Sequence, residues 1–404
     1  MIGGLLLIFV LFALTQQLLK GFKARLRWLN LNLMNKLFWY HMFFAGVYYT
    51  YAAFNPSDSA GYFRRPQSDY DDWLSIYQTG TKFLDFINYP IINYLHFSYE
   101  MMMVLYAWLG FWGFVYFYIF FKENLTFKHK WQGYDLLTLI FFLPNMHFWT
   151  ASLGKGSIMF FGLGMAIYGL SRMNIRRTAL VMGLLIVYQI RPHVFLFMAV
   201  AIIVGLFTGR QKVPFYQKFL VLAGSSLALI LMFDQIMAFA GLDSDNLVES
   251  FDQFASHRSG ELAKAGSGIN ISNYPLVFKL FTFWYRPLFV DAPNPIGLIV
   301  SMENLLYLIL TAKLFKGGFF KFLRKGPALV KTCAVIFLAT SFALSGTLSN
   351  LGIIIRQKSM IMYFFLFVIL AFLDFKKARL VQRRKLAAEK KQQEEASLLA
   401  TNEI

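Results

Sequence analysis

Long apolar runs alternate with short polar turns along almost the whole chain, and this alternation restricts the fold more than any single motif does. About eleven such runs are legible, from Ile2–Leu19 and Leu37–Phe54 through Met101–Phe121, Leu136–Phe148, Ile158–Leu170, Ala179–Ile190, Val194–Phe207, Phe219–Ala240, Ile296–Leu314 and Thr332–Leu348 to Met360–Leu373. A helix of about 20 apolar residues crosses a hydrocarbon core of about 30 Å, and in lipid only helices and closed barrels satisfy their own backbone groups. With 57% hydrophobic and only 15% charged residues, a soluble fold is excluded for a chain of this length. The expected fold is all-α: a polytopic membrane helix bundle over residues 1–375, followed by a charged tail over 376–404.

Charge fixes the expected orientation. Lys and Arg collect at alternate ends of the runs, at Lys20–Arg27, Lys122–Lys130, Arg172–Arg177, Arg210–Lys218 and Lys313–Lys325. Short cytoplasmic loops carry such an excess, so the N-terminus is expected outside and the C-terminal tail in the cytoplasm of a bacterial inner membrane. The net charge of +18 is therefore membrane topology, and no nucleic-acid partner is implied. The first run lacks a basic leader region and reads as a retained helix. Cys333 is the single cysteine, which excludes an intrachain disulfide and a thiolate metal site.

On the outer side, Trp73, Tyr77, Phe83 and Phe86 suggest short interfacial helices after the second span, and Phe278–Trp284 suggests a stretch that re-enters the interface. Nine residues with chemical potential open to that side: Asp58, Lys155, Arg191, His193, His257, Arg258, Arg286, Arg356 and Lys358. Lys155, Arg191, Arg286, Arg356 and Lys358 run against the charge bias without belonging to long loops. Lys155 lies in Asn145-Met-His-Phe-Trp-Thr-Ala-Ser-Leu-Gly-Lys-Gly-Ser157, and Arg191 in an Arg-Pro-His turn between two runs too short to reach across comfortably. The bland reading is snorkelling or pairing at helix ends; the sharper one is a set of bases around a phosphate or diphosphate whose lipid tail lies between helices. Lys155, Arg191 and Arg356 are expected around one outward cavity, with Arg356 and Lys358 in its last outer turn.

Asp58 follows a span directly. A carboxylate there takes an acceptor's proton as general base, or holds a divalent cation against a diphosphate, or caps a turn. Asp71 and Asp72 read as solvated acids, His147 as a satisfied histidine, and Glu303 as a buried carboxylate for which Arg286 is a candidate partner.

An Asp in the first outer loop, the His-Phe-Trp-Thr-Ala-Ser-Leu-Gly-Lys-Gly turn, the Arg-Pro-His turn and a late outer arginine together resemble bacterial polytopic glycosyltransferases of the C class and the related polysaccharide polymerases. The resemblance covers Met1 to Asp374, and the chain departs from it in having no Asp-Asp or His-Glu pair at the first-loop position. It implies an enzyme that takes sugars from polyprenyl-phosphate carriers in the bilayer and passes them to a glycan or lipid acceptor, with Asp58 as the catalytic acid or base. The alternative is a transporter or flippase for a lipid-linked or anionic solute; against it, no internal repeat is evident.

Overall fold

A computed structural model describes residues 2–210, 214–240, 274–292, 295–347 and 350–402. About 82% of the chain is helical, and five helices are long and apolar enough to cross a membrane: Ile2–Arg25, Tyr99–Asn124, Pro295–Phe315, Ala328–Gly346 and the apolar part of Leu351–Glu394. In chain order the first helices are α1 (Ile2–Arg25), α2 (Leu31–Phe54), α3 (Asp58–Ser68), α4 (Thr81–Asn93) and α5 (Tyr99–Asn124). There follow α6 (Leu136–Phe141), α7 (Pro144–Thr150), α8 (Lys155–Ser171), α9 (Arg177–Ile190), α10 (Pro192–Thr208) and α11 (Phe215–Ala240). The last are α12 (Leu276–Tyr285), α13 (Pro295–Ala312), α14 (Phe319–Lys325), α15 (Ala328–Thr347) and α16 (Leu351–Asn402).

Helix α5 is the central post. Its Phe111, Phe114, Phe117, Phe120 and Phe121 are buried, and Phe117 stacks on Phe160 of α8 while Phe120 meets Phe367 of α16 at 4.3 Å between ring centroids. Glycines let backbones approach where polar glue is scarce. A Cβ on Gly110 would lie 2.0 Å from the Thr150 carbonyl oxygen, and one on Gly164 would lie 2.7 Å from the Gly113 carbonyl oxygen. Along α8 and α9 the pairing runs antiparallel: Gly162 meets Ile186 and Val187, Ala166 meets Gly183, and Gly169 meets Leu180. The basic ends of α1, α5, α8 and α10 consequently gather at one end of the bundle, and the turns carrying Asp58, Lys155 and Arg191 gather at the other.

Two expectations about the spans need correction. The run Leu136–Phe148 is not one straight helix, because Leu143-Pro144 breaks it into α6 and α7; proline has no N–H to continue the ladder. The N-terminus of α7 is satisfied from elsewhere, since the Asn145 N–H donates to the buried carboxylate of Glu303 at 2.7 Å. Arg356 and Lys358 do not stand in a turn either. They occupy the first turns of α16, a continuous helix of 52 residues that carries the last apolar run and the charged tail together. Asp374 holds α16 to the chain after α5 by accepting from the Thr126 and Phe127 N–H groups at 2.9 and 2.7 Å.

Candidate functional site

Beyond α2 the chain folds into a small helical layer, and Asp58 is its first helical residue. Ser57 is the N-cap of α3, its hydroxyl accepting from the Ser59 N–H at 3.3 Å, so the capping role does not fall to Asp58. A chain of hydroxyls fixes this turn: Tyr48 to Ser57 at 3.0 Å, Ser57 to Ser59 at 2.8 Å and Ser59 to Tyr99 at 2.7 Å. The Asp58 carboxylate is left to point away from its own helix. It accepts from Arg356 Nη1 at 2.7 Å, across 298 residues of sequence, and it remains 60% exposed while Arg356 is 23% exposed. The Arg356 guanidinium also lies over the Trp149 ring, 5.7 Å from its centroid.

Lys155 begins α8, ahead of the apolar run 158–170, and its ammonium lies beside Gly80, where an added Cβ would be 3.9 Å from Nζ. Gly80 has φ +82°, a conformation that glycine adopts freely, and its N–H donates to the Gln189 carbonyl at 2.7 Å at the end of α9. That bond brings the Arg191 turn to the same place. Burial, followed by the positive charges of Arg191 and Arg356, pulls the Lys155 ammonium down to about 8; Asp58 acts in the opposite sense. Among the described residues Lys155 forms no hydrogen bond or ion pair. A half-buried ammonium repelled by two arginines is an arrangement that binds an anion favourably.

The sequence reading expects Lys155, Arg191 and Arg356 around one cavity, and the fold brings these three and Asp58 within electrostatic reach of one another. It adds two that were not singled out. Tyr62 follows Asp58 by one turn of α3, its ring 3.6 Å from a Cβ built on Gly154, the residue before Lys155, and Arg65 lies over that ring at 4.8 Å. Arg65 is held by a two-pronged bond to the buried Asp85 at 2.8 and 3.0 Å, with the Tyr70 hydroxyl donating to the same carboxylate. One cue in the sequence was available: Asp58, Tyr62 and Arg65 fall at helical spacing on one face of α3.

Other candidates lie elsewhere. Lys358 is wholly buried and donates to the Trp284 carbonyl at 3.3 Å, the Arg286 carbonyl at 2.8 Å and Asn304 Oδ1 at 2.7 Å, which engages all three of its donors. Two residues along a helix turn the side chain by about 200°, so Arg356 and Lys358 face nearly opposite ways. Arg286 pairs with Asp291, and this corrects its expected partnership with Glu303, which instead accepts from Asn145 and from the Tyr307 hydroxyl at 3.3 Å. Arg191 donates to Gln357, and His193 sits on the first turn of α10. His257 and Arg258 lie outside the described residues. His147 is buried, stacked on Phe114 and bonded to His41 Nδ1 at 2.8 Å. Asp72 caps the turn at Ser75, as a solvated acid would.

Among the described residues no group of three or more His, Cys, Asp or Glu side chains is placed to hold a metal ion. Cavities of about 440, 670 and 610 Å³ open at the basic end of the bundle, away from the Asp58 cluster. No family model, curated protein or solved structure matches the chain.

Proposed function

We propose that this membrane protein is a glycosyltransferase or polysaccharide polymerase that uses polyprenyl-phosphate-linked sugars at the outer face of a bacterial inner membrane. The observation that carries the reading is the Lys155 ammonium, unpartnered among the described residues, set beside Arg191 and the Asp58–Arg356 pair at the end of the bundle opposite the basic clusters. An anion with an apolar tail suits cations at the ends of apolar helices. The resemblance to polytopic glycosyltransferases of the C class supports the same assignment.

In this reading Asp58 is the general base. An acceptor hydroxyl attacks the anomeric carbon of the donor sugar, Asp58 takes the hydroxyl proton, and the bond from that carbon to the phosphate oxygen breaks. The negative charge that develops on the leaving phosphate is met by Lys155, Arg191 and Arg356. Arg356 also orients the Asp58 carboxylate, and Arg65, anchored on Asp85, holds the Tyr62 ring. The eleven crossings, the external N-terminus and the cytoplasmic tail belong to the same proposal.

Asp58→Asn tests it, in cells whose surface polysaccharide depends on this protein, scored for glycan and protein abundance together. Loss of the proton acceptor should lower glycan synthesis about 100-fold or more. Abundance should hold, because an ion pair this exposed contributes only about 0–1 kcal/mol. Full glycan at normal abundance would remove Asp58 from the chemistry and favour a carrier of lipid-linked or anionic solutes.

A further inference from the structure

The basic end of the bundle holds a cavity independent of the Asp58 cluster. It measures about 670 Å³ and opens between the last turn of α5, α14, the start of α15 and α16, a size in the usual range for small-ligand sites. Arg210, Lys321, Lys325 and Arg379 line it, and buried Phe322, Val330 and Phe367 form its apolar floor. The cavity is therefore cationic at its rim and apolar beneath.

Its two acids are already engaged. Glu123 accepts from both terminal nitrogens of Arg176 at 2.7 Å each, and Asp374 accepts from the Thr126 and Phe127 N–H groups and from His129 at 3.3 Å. Among the described residues none of the four cations forms an ion pair; Arg379 instead lies over the Phe375 ring at 5.3 Å. Four cations thus face the cavity against two lining carboxylates, and because Arg176 neutralises Glu123, the rim keeps a net positive charge. Depth is set by the helix ends around it: α5 stops at Asn124 and α15 starts at Ala328, both helices of spanning length. Cationic pockets between helix ends at that level suit lipid headgroups.

We propose that this cavity binds the phosphate headgroup of an anionic phospholipid, with an acyl chain laid along its apolar floor. A free phosphate would use the rim and leave the floor without a function, whereas a lipid uses both. The anion is held by charge-assisted hydrogen bonds from arginine and lysine, and the chain by apolar burial.

The test is lipid retention by the purified full-length chain, measured by native mass spectrometry after exchange from phosphatidylglycerol or phosphatidylcholine into detergent. Wild type should retain phosphatidylglycerol in preference to phosphatidylcholine. The triple variant Lys321→Gln, Lys325→Gln, Arg379→Gln should weaken that retention at least about tenfold, since each basic residue near the headgroup adds to the attraction. These side chains are exposed, so helix content by circular dichroism should stay unchanged. Lys390→Gln with Lys391→Gln, on the same helix but outside the cavity, should retain the lipid as wild type does. Equal retention of both lipids, or of phosphatidylglycerol by the triple variant and wild type, would overturn the assignment. Displacement of the lipid by millimolar inorganic phosphate would overturn it in favour of a site for soluble anions.

Discussion

Replacing Lys358 by alanine separates a structural lysine from a substrate-binding one. Its ammonium is the junction of three segments, joining the Trp284 and Arg286 carbonyls at the C-terminal end of α12 and the Asn304 side chain of α13 to the first turns of α16. Removing it leaves one buried and two partly buried acceptors without this donor, each costing up to about 1–3 kcal/mol, offset in part because a desolvated charge is removed as well. The net loss should be about 3–5 kcal/mol, the range for breaking a buried charged contact. Arg356→Ala, two residues earlier on the same helix, provides the reference: its partner Asp58 is 60% exposed, so the loss should be about 1 kcal/mol or less. Both variants are compared by thermal unfolding in one detergent at one scan rate, because unfolding of such proteins is commonly irreversible and midpoints then depend on rate. Lys358→Ala should melt well below Arg356→Ala, while Arg356→Ala should lose more anion binding than stability. A Lys358→Ala protein that melts like wild type but no longer binds diphosphate would refute this reasoning and return Lys358 to the anion site.

Three more outcomes are expected. Burial pulls the folded Lys155 ammonium from the ordinary lysine value of 10.5 down to about 8, so the unfolded chain binds the extra proton between these values and this group's contribution to stability rises with pH across that window. Diphosphate binding, which needs the charged form, should weaken as pH rises through about 8, measured by calorimetry, and Lys155→Met should abolish that step. Gly169→Val should lower protein abundance sharply, because even a Cβ would lie 2.3 Å from the Leu180 nitrogen; normal abundance and melting would show that α8 and α9 are not packed as described. Reporter fusions at Thr208 and Ile404 should both report cytoplasm and one within residues 241–295 should not; a cytoplasmic signal from that loop would reverse the orientation of the Asp58 cluster.

The sequence by itself determined that this is an all-α membrane protein and which turns share an end, because apolar run length and basic clustering are local properties that the bilayer reads directly. It also supplied Asp58, Lys155, Arg191 and Arg356, since each is a polar exception in an apolar setting. The sequence reading groups Lys155, Arg191 and Arg356; tertiary structure adds Asp58 as the partner of Arg356 and takes Lys358 away from them. Arg356 and Lys358 look equivalent in the sequence, yet helical rotation sends one to Asp58 and the other to three carbonyls in the interior. Glu303 reads as a partner for a nearby arginine, but the helix break at Pro144 exposes a backbone N–H that claims it. The Asp58–Arg356 pair joins residues far apart in the chain, and no local pattern encodes such a contact; only the packing of α2, α3 and α16 around α5 creates it.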